Sequence, residues 1–226
     1  MYSYYKLLLN WSEVWPLAIA LTIFVIFKQR ENITILVWLI GISILLHTLA
    51  TYISLFTYQV PEPFKNNNVL YNLLAFIKPV MVGLYLLKLK QLKQYKYLKV
   101  IFSIFILFTF YNFIFVESIF TFSSSMVLAE SAFILIFTLT FFLNAMIDDE
   151  IPLPIIHPAY FVCTAFGILE SINFFIYLFL FPVFNTNYEF ALLMMNISGF
   201  AFIIFGLIIA TGIFINREKP RFFHFS

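Results

Sequence analysis

Residues 72–87 read NLLAFIKPVMVGLYLL. With the apolar residues just before it, this stretch reaches the roughly 20 residues that a membrane-spanning helix needs. It also holds Lys78, followed at once by Pro79. An ionised side chain at a helix centre costs about 2.5–3.5 kcal/mol on insertion scales, so Lys78 requires a partner or a purpose.

The rest of the chain has the same character. Of 226 residues, 63% are hydrophobic and 11% are charged, against about 25% charged in soluble domains. The mean hydropathy is +0.98. So few polar groups cannot cover a water-facing surface, and the bilayer must be the main solvent. The 32 Phe rise together with Ile, Tyr, Asn and Lys, a pattern of genome composition as much as of function. The single cysteine, Cys163, lies in an apolar run and reads as a small packing residue. It makes no cysteine-based metal site. The N-terminus, MYSYYKLLLNWSEVWP, lacks the long apolar core of a signal peptide, which leaves targeting to the first span.

The length of a spanning helix divides the chain into seven spans: 11–27, 33–57, 69–87, 97–116, 124–146, 158–181 and 190–215. The first is the weakest, with Glu13 and Pro16 at its start, a place where proline is tolerated. The separators KQRE, QVPEPFKNNN, DDEIPLPIIH and PVFNTN are short and leave no room for a soluble domain. The expectation is an all-α seven-helix bundle forming one transmembrane domain. Ten Lys or Arg residues follow the odd-numbered spans, and only Lys6 and Lys65 lie on the opposite side. Basic residues favour the cytoplasm, which sets the N-terminus outside and the C-terminus inside a bacterial inner membrane.

The densest basic stretch, LLKLKQLKQYKYLK (residues 86–99), places Lys88, Lys90, Lys93, Lys96 and Lys99 around a leucine face. These lysines can reach anionic headgroups, each worth about 1 kcal/mol. Alternatively, with Asp148, Asp149 and Glu150 on the next loop of that side, they form a docking surface for a cytoplasmic protein or a second copy. Nothing in the pattern fits nucleic acid.

Within the spans lie His47, Lys78, Glu130, Glu170, Asn173 and Asn196, with Ser131, Ser171 and Ser198 beside them. At 1.5 Å per residue all of them fall between the outer third and the midplane of their helices. The expectation is a polar pocket in which Lys78 meets Glu130 or Glu170, with His47, Asn173 and Asn196 around it. Pro79, which frees a backbone carbonyl one turn earlier, is read as a kink. Cys163, Gly167 and Ser171 read as a close-packing stripe beside Glu170. Glu13, Glu117 and Glu189 read as solvated or interfacial. The cluster is either a structural ion pair that fixes register, a ligand or ion pocket, or a site of catalysis or proton movement. Two carboxylates for one lysine leave a surplus negative charge or a protonated glutamic acid.

Several seven-helix families are excluded. The last span has no Schiff-base lysine, the receptor signatures at the ends of helices three and seven are missing, and no intramembrane-protease motif occurs. IKPVM lacks the intramembrane aspartates of the lysoplasmalogenases, and one histidine among the spans does not make a metal site.

SSSMVLAESAFILIFTLTFFLNAM (123–146) and IPLPIIHPAYFVCTAFGILESINFFIYLF (151–179) resemble a group of small, mostly uncharacterised bacterial seven-helix membrane proteins. In that group a Leu-x-Glu-like helix precedes a proline-rich lead-in to the sixth span. The group's third span carries Tyr-x-x-x-Glu, where this chain has Tyr71 and Ala75. The resemblance implies a sensory or accessory role; since the loops hold no output domain, the expectation is a non-enzymatic subunit that acts through a partner protein, and no cofactor is expected. A small ion or metabolite transporter and an intramembrane enzyme are the alternatives.

Overall fold

The computed structural model describes residues 8–56, 66–89, 92, 95–147 and 157–220, without the side chains of 180–186, 188, 219 and 220. Lys90, Lys93, Asp148, Asp149 and Glu150 lie outside the described residues. The helices are α1 (Trp15–Ile26), α2 (Thr34–Leu55), α3 (Asn68–Leu87), α4 (Lys96–Tyr111), α5 (Ser124–Ile147), α6 (Pro158–Thr186) and α7 (Tyr188–Ile215). All but α1 are long and apolar enough to cross a membrane, α4 together with a π-helical turn, Asn112–Val116, that follows it. The π turn closes with Glu117 N–H donating to the Asn112 carbonyl at 2.7 Å.

Polar residues set the helix starts. The Asn32 side chain accepts from Thr34 N–H at 3.1 Å, and Asn187 caps α7 by accepting from Phe190 N–H at 3.1 Å. His157 precedes Pro158, the first residue of α6, and its Nδ1 accepts from Ala159 N–H at 3.1 Å. Proline does not end α3, which stays helical from Asn68 to Leu87 with Pro79 buried in its interior.

The helices form a ring in the order α1–α2–α3–α5–α6–α7, closed by α7 on α1. The fourth helix packs outside it, against α3 and α5. Its span is 17% buried, against 44% for each of the other long helices, so most of its surface faces outward. Leu107, Ile114 and Phe115 stand exposed there, as Trp38, Leu139 and Phe175 do on other helices. In water this apolar coat would be an aggregation surface; in lipid it is the solvent-facing surface.

Aromatic rings fill much of the interior. Phe133 of α5 lies 4.7 Å from Phe105 of α4 and 4.6 Å from Phe137, ring centre to ring centre, and Phe166 and Phe205 join α6 to α7 at 4.8 Å. The glycines that leave no room for a Cβ, Gly83, Gly206 and Gly212, are not the one the sequence suggested. Gly167 has only Thr138 Oγ1 near the place of a Cβ, at 4.0 Å, whereas a Cβ on Gly206 would stand 2.4 Å from Pro16 Cβ and 3.1 Å from its carbonyl carbon. Glycine at 206 is what lets α7 approach the first turn of α1 so closely.

A short antiparallel strand pair, β1 (Phe27–Gln29) with β2 (Arg217–Pro220), ties the end of α1 to the end of α7. Asn216 is its hub. Its side chain accepts from Glu31 N–H at 3.2 Å and donates to Gln29 Oε1 at 3.2 Å, and its carbonyl accepts from Arg30 N–H at 2.9 Å. The Arg217 guanidinium lies over the Phe214 ring at 3.3 Å.

Candidate functional site

The polar centre is assembled from three helices. Lys78 Nζ of α3 donates to Glu170 Oε1 of α6 at 2.8 Å and also pairs with Glu130 Oε1 of α5. Ser131 Oγ donates to the second oxygen of Glu170 at 2.8 Å. Glu130 and Glu170 are 4% and 1% exposed, so neither carboxylate has water to fall back on. The helical repeat explains the division of labour. Consecutive residues on a helix point about 100° apart; Glu130 meets α3 while Ser131 meets α6.

The two carboxylates are not equivalent. Glu170 receives a donor on each oxygen, from Lys78 and Ser131. Among the described residues Glu130 has only the shared ammonium, and its buried Oε1 lacks an aligned hydrogen bond even where it meets that charge.

A second pair lies beside the first. His47 Nδ1 of α2 is 2.7 Å from Glu13 Oε2, just ahead of α1, without aligned hydrogen-bond geometry. Tyr71 of α3 donates its hydroxyl to the same Glu13 oxygen at 3.4 Å. The imidazole packs edge-on against Tyr71 and Phe202, with ring centres 6.0 and 5.6 Å apart. The His47 side chain is 4% exposed and that of Glu13 is 24% exposed. Lys78, His47 and Ser43 line an internal cavity of about 20 Å³, otherwise walled by apolar residues such as Leu39, Phe166 and Leu169. That is room for about one water.

Thus Lys78 takes both expected carboxylates, and His47 lies at the same cavity. Asn173 pairs instead with Ser198, whose hydroxyl donates to Asn173 Oδ1 at 2.9 Å, one turn along α6 from Glu170. Asn196 is exposed on α7 and outside the cluster, which corrects the sequence reading. Residues 196 and 198 point about 200° apart, so only one can face inward, and Ser198 does. Glu13, read as solvated or interfacial, is instead the partner of His47; the signal was an intramembrane histidine that lacked a partner. Lys88, Lys96 and Lys99 are exposed.

Glu117 is likewise more than an interfacial charge. One of its oxygens, Oε2, accepts from Asn112 Nδ2 at 3.1 Å, from Ser125 Oγ at 2.7 Å and from Ser123 Oγ. Asn72 of α3 donates to the Ile119 and Thr121 carbonyls at 2.8 and 2.6 Å, pinning the same connection. Burial alone would raise the Glu117 carboxyl, but the hydrogen bonds from Ser123, Ser125 and Asn112 hold it below the usual carboxylate range. At the other end of the bundle, burial pushes His157 below the usual imidazole range, and Glu31 opposes this only in part.

The fold and site define a helical bundle with six helices of membrane-crossing length and a buried ion cluster at its centre. Among the described residues, no group of three His, Cys, Asp or Glu is arranged to hold a metal ion. Comparison with known families, with curated proteins and with solved structures finds no match.

Proposed function

We propose that the protein is a multi-pass subunit of a bacterial cytoplasmic membrane that registers a change at its polar centre and passes it to a partner protein. The observation that carries this reading is the three-helix ion cluster. Lys78, Glu130 and Glu170 come from α3, α5 and α6, so any change in their charge or pairing alters how those helices pack. The peripheral α4, held by Glu117 and Asn72 at one end, offers a long outward face next to two of the three. Together with the exposed Lys88, Lys96 and Lys99 at its other end, it is the natural surface for a partner.

The reading includes seven spans, with the N-terminus outside. The first helix alone is about 18 Å long at 1.5 Å per residue. The turns of chain from Leu8 to Val14 ahead of it supply the rest of the crossing. Reporter fusions after Tyr95 and at Ser226 are expected to read cytoplasmic, and a periplasmic signal from either overturns the topology. Purification in mild detergent is expected to recover one partner in fixed stoichiometry. A solitary chain that catalyses uptake in liposomes overturns the subunit reading in favour of transport. One observation favours an ion over a metabolite in that case: the space at Lys78 and His47 is about 20 Å³.

A further inference from the structure

The charge count at the polar centre is unbalanced. Lys78 supplies one positive charge to two carboxylates, each at least nine-tenths buried. The other basic side chain at the cavity, His47, already faces its own carboxylate, Glu13. An uncompensated carboxylate in a low-dielectric interior costs several kcal/mol, a cost that uptake of one proton removes. The hydrogen bonding says where that proton sits. Glu170 is solvated as an anion by Lys78 and Ser131, whereas Glu130 has the shared ammonium alone.

We propose that this centre is a proton-binding site, with one exchangeable proton carried by Glu130 and delivered by way of Glu13 and His47. The route follows the contacts. Glu13 is the most exposed of these carboxylates and touches His47 Nδ1. An imidazole accepts a proton on one nitrogen and releases one from the other. His47 and Lys78 line the same water-sized cavity, so a single water passes the proton on to the lysine–glutamate group. Lys78 gives one of its protons to Glu130 and takes one back from the water, so the ammonium is restored and the proton on Glu130 offsets the second carboxylate; His47 is left with its proton on Nδ1 and returns to its first tautomer by exchange with the cavity water. The titratable groups facing the site are His47 on α2, Glu13 ahead of α1, Tyr71 and Lys78 on α3, Glu130 on α5, and Glu170 and Tyr177 on α6. Among the described residues, α1, α4 and α7 turn none toward it.

This deepens the reading above, since the proton becomes the change that the bundle registers, but it rests on the polar centre and not on the partner. The two fail separately: the test below uses the purified chain alone, and loss of the partner would leave its result unmoved. Infrared spectroscopy of the full chain in lipid nanodiscs reads the C=O stretch that only a protonated carboxyl gives. A band is expected at neutral pH. Both Glu130→Gln and Glu170→Gln are expected to remove it, because either substitution leaves one carboxylate for one ammonium. Absence of the band from the wild-type protein overturns the proposal, as does its survival in either variant. A band seen only when sodium is withheld assigns the missing positive charge to a metal cation and also overturns it. Should a variant fail to fold, the wild-type band and its sodium dependence still decide the matter. The route is tested by transfer to deuterated buffer. A positioned side chain typically speeds proton transfer by about 10²–10⁴-fold, so His47→Gln is expected to slow the isotope shift of the band by about 100-fold. An unchanged rate overturns the route.

Discussion

Lys78→Met tests the energetics of the centre most directly. The substitution keeps the length of the side chain and removes the one positive charge that both Glu130 and Glu170 use. Stranding the partner of a buried pair typically costs about 3–5 kcal/mol. The same figure follows from protonation. Holding a carboxyl with an ordinary value near 4.3 in its neutral form at pH 7 costs about 3.7 kcal/mol. With Glu130 already carrying a proton, only Glu170 must take one up, and the loss stays near that single value. If both carboxylates were ionised beforehand, two protons would be needed and the loss would approach about 7 kcal/mol. The pH dependence separates the cases as well. Relative to its own unfolded state, the variant's folded state holds more protons than the wild type's does, so its deficit grows as pH rises, by about 1.4 kcal/mol per unit for one proton and twice that for two. The assay is unfolding in mixed micelles, followed by tryptophan fluorescence, across a pH series. Adding either Glu170→Gln or Glu130→Gln to Lys78→Met is expected to recover most of the loss, because each removes one carboxyl that must otherwise be held neutral. A deficit below about 1 kcal/mol that does not vary with pH would refute the reasoning, because a surface ion pair is worth no more than that.

Two further outcomes follow from other parts of the fold. Gly206→Ala puts a methyl group against the backbone of Pro16 and is expected to destabilise by about 1–3 kcal/mol as α1 is pushed off α7. Gly41→Ala, with nothing within 4 Å, is expected to be neutral or to stabilise by up to about 1 kcal/mol; thermal unfolding of the two variants side by side checks the contrast. His157 Nδ1 must be unprotonated to accept from Ala159 N–H, and its value is depressed by burial, so the unfolded chain binds the proton more readily. Its contribution is therefore present above the ordinary imidazole value, near 6.5, and is lost as pH falls below it. His157→Asn, which caps without titrating, is expected to flatten that part of the profile of melting temperature against pH; an unchanged slope would remove His157 as its source.

The sequence by itself determined the solvent and the elements. Apolar runs of spanning length are a property of consecutive residues, and the helices begin and end within a few residues of the runs they were read from, apart from α1, which starts four residues later, α4, whose run is completed by the π turn Asn112–Val116, and α6, which continues to Thr186. Shared depth along the helices was also legible, because rise per residue is fixed, and it was enough to pair Lys78 with glutamates on two distant helices. Rotation about each helix axis was not legible, because it depends on which neighbours pack against which face. That is why Asn196 turned outward while Ser198 turned in, and why close approach fell at Gly83, Gly206 and Gly212 rather than at Gly167. Only the tertiary structure brought Glu13 back over the bundle to His47, placed α4 outside the ring and joined Phe27–Gln29 to Arg217–Pro220. It also decided that Ser131 serves Glu170 alone. Composition required a partner for each buried charge; packing chose the partner, and left one carboxylate short of a donor.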